Sequence, residues 1–75
     1  MQKSKVLNTL SQLRKSEKIS QKDLAERLGV SRQTINAIEN HKYTPTLRLA
    51  LLLAEYFNLH VDQIFTNEKT EPTEN

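Results

Sequence analysis

The sequence predicts an all-α domain: five short helices closed around one compact core. Three observations carry this. Apolar residues recur at helical spacing in separate segments along the 75-residue chain. Those segments are bounded by capping residues, with Ser20, Ser31 and Thr46 at helix starts and Gly29, the single glycine, and Asn58 at helix ends. A chain of this length buries roughly 60% of its extended surface, so short helices must share one core.

From Val6 the apolar positions 6, 7, 10 and 13 form a helical stripe that extends to about Glu17, with Leu10 and Leu13 the best core candidates. Lys18 and Ile19 connect it to the next helix, and Ile19 is expected to be buried beside the Ser20 cap as a staple. The second helix, roughly 21 to 28, has Asp23 three residues after Ser20, and Leu24, Ala25 and Leu28 on one face. Gly29 stops it, where the backbone is expected to turn through positive φ. Val30 tucks the turn inward, and Ser31 caps a third helix, roughly 32 to 40, whose Ile35 and Ile38 face the core.

After the polar loop HKYTPT, Pro45 holds Thr44 extended, and Thr46 caps the longest helix, about 47 to 57. Its residues Leu47, Ala50, Leu53, Ala54 and Phe57 share one face and are expected to close the core. Leu49, Leu52 and Tyr56 make a second apolar strip, which is either wedged among neighbours or left for a partner. A chain this small has few neighbours to offer, so a homodimer patch including Leu52 and Tyr56 is expected. A last short helix covers His60 to Phe65, with Asp62 in its first turn. Residues 1–5 are expected to be flexible, 6–66 to form the domain, and 67–75 to be a disordered polar tail. The whole run TNEKTEPTEN, from Thr66, has no apolar anchor.

The formal net charge is only +2, but its distribution is uneven. Residues 1 to 48 carry ten basic and four acidic side chains, whereas residues 49 to 75 carry one basic and five acidic. The positive half contains the two central helices, as expected if that face meets a polyanion. Arg32, Gln33, Asn36, Ala37 and Asn40 form the outer face of the third helix. The helix itself has no structural need of that set, whose guanidinium and amides are able to pair with base edges.

The absence of cysteine removes disulfides and thiolate metal sites. His41 and His60, the only histidines, sit in no recognisable metal motif, and no cofactor is expected. The run LRLALLLA is interrupted by Arg48 and far shorter than the roughly 20 apolar residues of a membrane span. No signal peptide is recognisable, so a cytoplasmic location without membrane contact is expected. The carboxylates Asp23, Glu26, Glu39, Glu55 and Asp62 are scattered without a nucleophile or phosphate loop, which argues against an enzyme.

Residues 10 to 65 resemble the phage-repressor and Cro-type helix-turn-helix family, also called the xenobiotic-response-element family. The matching features are Ser20-Gln21, Leu24-Ala25, Leu28-Gly29-Val30-Ser31, Ile35, Ile38-Glu39-Asn40 and Pro45-Thr46-Leu47. The resemblance implies a five-helix, lambda-repressor-like domain that binds double-stranded operator DNA, usually as a homodimer. It implies base contacts from Arg32, Gln33, Asn36 and Ala37. Gln21 would contact phosphate and brace Arg32, and Asn40 with the loop carrying Lys42 would approach the backbone. Thr34 joins these phosphate contacts by its side-chain chemistry, and the His41 amide is a further phosphate-facing group.

In the family an arginine of the first helix pairs with a glutamate late in the third, positions held here by Arg14 and Glu39. The pair is either an ordinary surface contact or a clamp between the two helices. Glycine is frequent in the family where this chain has Lys18, His41 and Asn58. The position of Leu52 is often charged or polar there, consistent with a partner contact. The reading that follows is a repressor acting on a palindromic operator, the alternative being an antitoxin-like or other protein-interaction module that keeps the scaffold and captures a protein partner.

Overall fold

The computed structural model describes residues 6–68. Five helices, α1 (Leu10–Ser16), α2 (Gln21–Leu28), α3 (Arg32–Glu39), α4 (Leu47–Phe57) and α5 (Val61–Ile64), are joined by a two-stranded antiparallel ribbon of β1 (Val6–Asn8) and β2 (Phe65–Asn67). Leu10, Leu24, Ile35, Ile38, Leu53 and Ile64, drawn from all five helices, are fully enclosed. Each such side chain contributes roughly 1.5 to 3 kcal/mol by leaving water.

The ribbon departs from the sequence reading at both ends. Val6 does not begin a helix: Val6, Leu7 and Asn8 pair with Asn67, Thr66 and Phe65. Helix α1 starts only at Leu10, because the Asn8 side chain intervenes, its Oδ1 accepting the Leu10 N–H at 3.0 Å. The Thr9 N–H donates to the Ile64 carbonyl at 3.0 Å, tying the start of α1 to the end of α5. Phe65 leaves the last helix for the strand and is buried there. Thr66 and Asn67, expected to lack an anchor, are held by cross-strand backbone pairing, which needs no apolar side chain. The expectations of a flexible segment at residues 1–5 and of a disordered tail over residues 69–75 fall outside the described residues.

Helix α4 is rotated relative to the sequence reading. Leu49 faces inward with Ala50, Leu53 and Ala54, whereas Leu47, expected in the core, is 72% exposed. Phe57 is half-buried and meets the Tyr56 ring edge-on, with centroids 4.9 Å apart, so Tyr56 also packs partly against the core. Nearly every position of this helix is apolar, and periodicity therefore leaves its phase open.

The helix ends follow one rule. Ser20, Ser31 and Thr46 accept the N–H of the residue three positions on, at 3.0, 3.1 and 3.1 Å. The four longer helices all finish through a left-handed residue, at Lys18, Gly29, His41 and Asn58, with φ of 59°, 74°, 60° and 57°. The next residue then reaches back five positions: Ile19 to Arg14, Val30 to Ala25, Lys42 to Ala37 and Leu59 to Ala54, at 2.9 to 3.1 Å. Ile19, Val30 and Leu59 thereby fold an apolar side chain onto the core.

Only Gly29 adopts this conformation without a side-chain penalty, which for other residues is about 1 to 2 kcal/mol. Lys18 is exposed. Lys18→Gly is therefore expected to raise the unfolding midpoint by several degrees, since 1 kcal/mol shifts a domain of this size by roughly 4 to 8 °C. A thermal melt followed by circular dichroism measures it.

Candidate nucleic-acid interface

Helices α2 and α3 are held in place by apolar residues on their inner sides, Leu24 and Ala25 on one, Ile35 and Ile38 on the other. With those four buried, the outer side of α3 has no freedom to turn inward. It presents Arg32, Gln33 and Asn36 as exposed side chains, with Ala37 and Thr34 half-covered beside them. Gln21, at the first position of α2, joins Arg32, Gln33 and Asn36 around an open depression of about 390 Å³. The turn at Gly29 thus sets side chains from two helices facing one space.

Behind this surface lies a polar chain. The Arg14 guanidinium donates to both oxygens of Glu39, Nε to Oε2 at 2.6 Å and Nη2 to Oε1 at 3.1 Å, and through Nη1 to the Ile19 carbonyl at 3.0 Å. The two side chains are 12% and 7% exposed. Glu39 Oε1 also accepts from Gln21 Nε2 at 2.9 Å. Gln21 Oε1 in turn lies 3.5 Å from Asn36 Nδ2, and Asn40 Nδ2 donates to the Asn36 side-chain oxygen at 3.2 Å and its carbonyl at 2.9 Å. One connected path therefore runs from α1 through the end of α3 to the start of α2 and back to the exposed middle of α3.

The electrostatics follow from this geometry. Burial pushes the Glu39 carboxyl upward, but the hydrogen bonds from Arg14 and Gln21, with the charges of Arg14 and Lys15, outweigh it and hold the group below its ordinary range. The hydrogen bond to Glu39 raises the Arg14 guanidinium further, against the opposing effect of burial. Among the described residues this is the one ion pair, and no buried side-chain polar atom lacks a partner. Gln21 meets Glu39 and Asn36 rather than holding Arg32, with which it only shares the depression.

Arg32 and Gln33 make no side-chain hydrogen bond among the described residues, so their donors and acceptors face outward uncommitted. Asn36 is engaged on both sides by Gln21 and Asn40. Asn40, His41 and Lys42 continue the surface past the end of α3 and are all exposed. Leu52 and Tyr56 lie away from it on α4, both half-buried.

Two residues escaped the sequence reading. Tyr43, 42% exposed, lines a second depression of about 330 Å³ with Ser31, Gln33, Thr34 and Ala37. The available signal was an aromatic hydroxyl directly after the basic Lys42 in a polar loop. Asn8 spans from β1 to the end of α3, where its Nδ2 donates to the Ile38 carbonyl at 2.8 Å. Its signal was an asparagine two residues before Leu10, a capping arrangement that the stripe read from Val6 masked.

Among the described residues no group of three or more metal-ligating side chains occurs and no helix is long and apolar enough to cross a membrane.

A helix-turn-helix family model matches residues 10–64. An HTH-type transcriptional regulator of Methanocaldococcus jannaschii is 47% identical over 64 residues, covering 85% of this chain and 97% of the relative. Another, from Bacillus subtilis, is 39% identical over 62 residues, covering 83% and 94%. Among solved structures, the SOS-response transcriptional repressor LexA of Eubacterium rectale superimposes with a TM-score of 0.72 at 27% identity, over 88% of this chain and 74% of that one. The transcriptional regulator VanUg shares the fold, with a TM-score of 0.73 at 21% identity over 93% of both chains. With the turn at Gly29, the two capped helices around it and the exposed polar side of α3 all in place, the chain belongs to the Cro-type helix-turn-helix family of DNA-binding transcriptional regulators, a non-enzymatic family.

Proposed function

We propose that the protein is a cytoplasmic, sequence-specific repressor that reads a palindromic operator in double-stranded DNA as a homodimer. The observation that carries this reading is the uncommitted pair Arg32 and Gln33 at the start of a helix whose opposite side is wholly buried. Arg32 donates two hydrogen bonds to O6 and N7 of guanine, and Gln33 pairs with adenine. The Ala37 methyl meets a thymine methyl, and Asn36 contributes a base-edge contact from the position that Gln21 and Asn40 set for it. Gln21, Thr34, Asn40, the His41 amide and Lys42 take the phosphate contacts that fix depth and register without reading sequence.

One short helix reads only a few base pairs, and a two-fold dimer overcomes this by setting two recognition helices roughly 34 Å apart on one face of the duplex. Leu52 and Tyr56 on α4 belong to the surface assigned to that association. The exposed leucines of α4 support it, since an unpaired apolar strip on so small a protein calls for a partner.

Selection from a random duplex pool tests the reading directly. Enrichment of two inverted half-sites about one helical turn apart is the expected outcome, and recovery of no sequence above background at low salt would overturn it. Affinity should fall steeply with salt, with a log–log slope of about −0.9 for each phosphate neutralised. Lys42→Ala is expected to weaken binding to all sequences alike and to make that slope shallower by roughly one, measured by fluorescence anisotropy across a salt series.

A further inference from the structure

The outer side of α4 carries an apolar strip with a charge at each end. Leu47 and Leu51 are 72% and 53% exposed, and with Leu52, Arg48 and Glu55 they line a shallow groove of about 360 Å³ opposite the buried residues Leu49, Ala50, Leu53 and Ala54. Among the described residues neither Arg48 nor Glu55 makes an ion pair or a side-chain hydrogen bond.

The order of these side chains is symmetric about the midpoint between Leu51 and Leu52. Moving outward, one meets Arg48 on one side and Glu55 on the other, then Leu47 and Tyr56. A surface of this kind is complementary to itself when reversed, which is the requirement of a two-fold contact.

We infer that α4 pairs antiparallel with α4 of a second copy, the two-fold axis passing between Leu51 and Leu52. This rests on the homodimer reading above and specifies its seam and register. In that register Arg48 faces Glu55 of the second copy, so the axis generates two ion pairs. Leu51 meets Leu52 across the axis, and Leu47 meets Tyr56 at the ends. A parallel pairing would set Arg48 against Arg48 and Glu55 against Glu55, so the charges select direction as well as partner. The register also gives the exposed Leu47, set apart from the core, a contact to make.

Charge reversal tests it on the full chain by sedimentation equilibrium, with circular dichroism showing that each exposed substitution leaves the fold intact. Arg48→Glu and Glu55→Arg each set like charges against each other twice per dimer and should weaken association at least about tenfold. The double variant, Arg48→Glu with Glu55→Arg, restores opposite charges across the axis and should return to within about threefold of the parent. A parent that dimerises while both single variants dimerise equally well would overturn this seam and leave the homodimer standing. Weakened single variants without recovery in the double would overturn the register. A parent that stays monomeric, alone and on DNA, would overturn the homodimer reading itself.

Discussion

Glu39→Ala is expected to remove about 2 kcal/mol from the free energy of unfolding, between the value of an exposed pair and the cost of breaking a fully buried one, because the pair is part-buried. The loss goes beyond one contact. Arg14 keeps its charge with only the Ile19 carbonyl to answer it, and Gln21 loses the acceptor that holds its amide. For a domain whose total stability is of the order of 5 kcal/mol, the low end for small proteins, this is a large share of the margin. Urea denaturation gives the number. A loss below about 1 kcal/mol, the value of an exposed pair, would show that Arg14 and Glu39 do not clamp α1 to α3.

Glu39→Gln separates charge from shape. The folded protein holds the Glu39 carboxyl below its unfolded range, so the stabilisation is fully present above the unfolded value of about 4.3. It is lost as pH falls through the lower, folded value. The parent should therefore outlast Glu39→Gln at neutral pH, and the gap should close in acid. A gap independent of pH would assign the effect to packing.

How far the sequence disclosed this architecture depends on the kind of signal each part used. The caps at Ser20, Ser31 and Thr46 and the reversal at Gly29 were readable because they are local: a side chain three residues from the N–H it accepts, or a backbone conformation favouring glycine. The ribbon was not, because Val6–Asn8 and Phe65–Asn67 sit at opposite ends of the domain and no local pattern records their pairing. The phase of α4 was hidden for a different reason. LRLALLLA is apolar at every position but Arg48, so burying Leu49 and exposing Leu47 is decided by what α4 packs against rather than by its own periodicity.

The candidate interface was legible as a set of residues and not as a network. The outward side chains of α3 follow from the burial of Ile35 and Ile38, which helical spacing supplies. The contact of Gln21 with Glu39 depends on the angle between α2 and α3, a tertiary quantity. Asn8 illustrates the same limit. Its capping of Leu10 is local, whereas its bond to the Ile38 carbonyl spans thirty residues of sequence. That bond fastens the ribbon to the end of α3, so the strand overlooked in the sequence braces the helix that the sequence identified best.

The double variant Arg32→Ala, Gln33→Ala is expected to lose most of the discrimination between operator and unrelated duplex while retaining much of its general affinity. A bidentate contact to a base edge is worth roughly 1 to 3 kcal/mol of discrimination, so the two together should cost between about thirtyfold and more than about ten-thousandfold in specificity. Neither side chain makes a side-chain hydrogen bond among the described residues, and both are exposed, so their truncation leaves no buried partner behind and the melting temperature should barely move. General affinity should survive, because the proposed phosphate contacts of Gln21, Thr34, Asn40, His41 and Lys42 are kept in the variant. Competition titrations against operator and random duplex, at one fixed salt concentration, resolve the two effects. An equal loss on both duplexes would place Arg32 and Gln33 on phosphate, and unchanged discrimination would move the reading of bases to other side chains, of which Tyr43, beside Gln33 and Ala37, is the first to test.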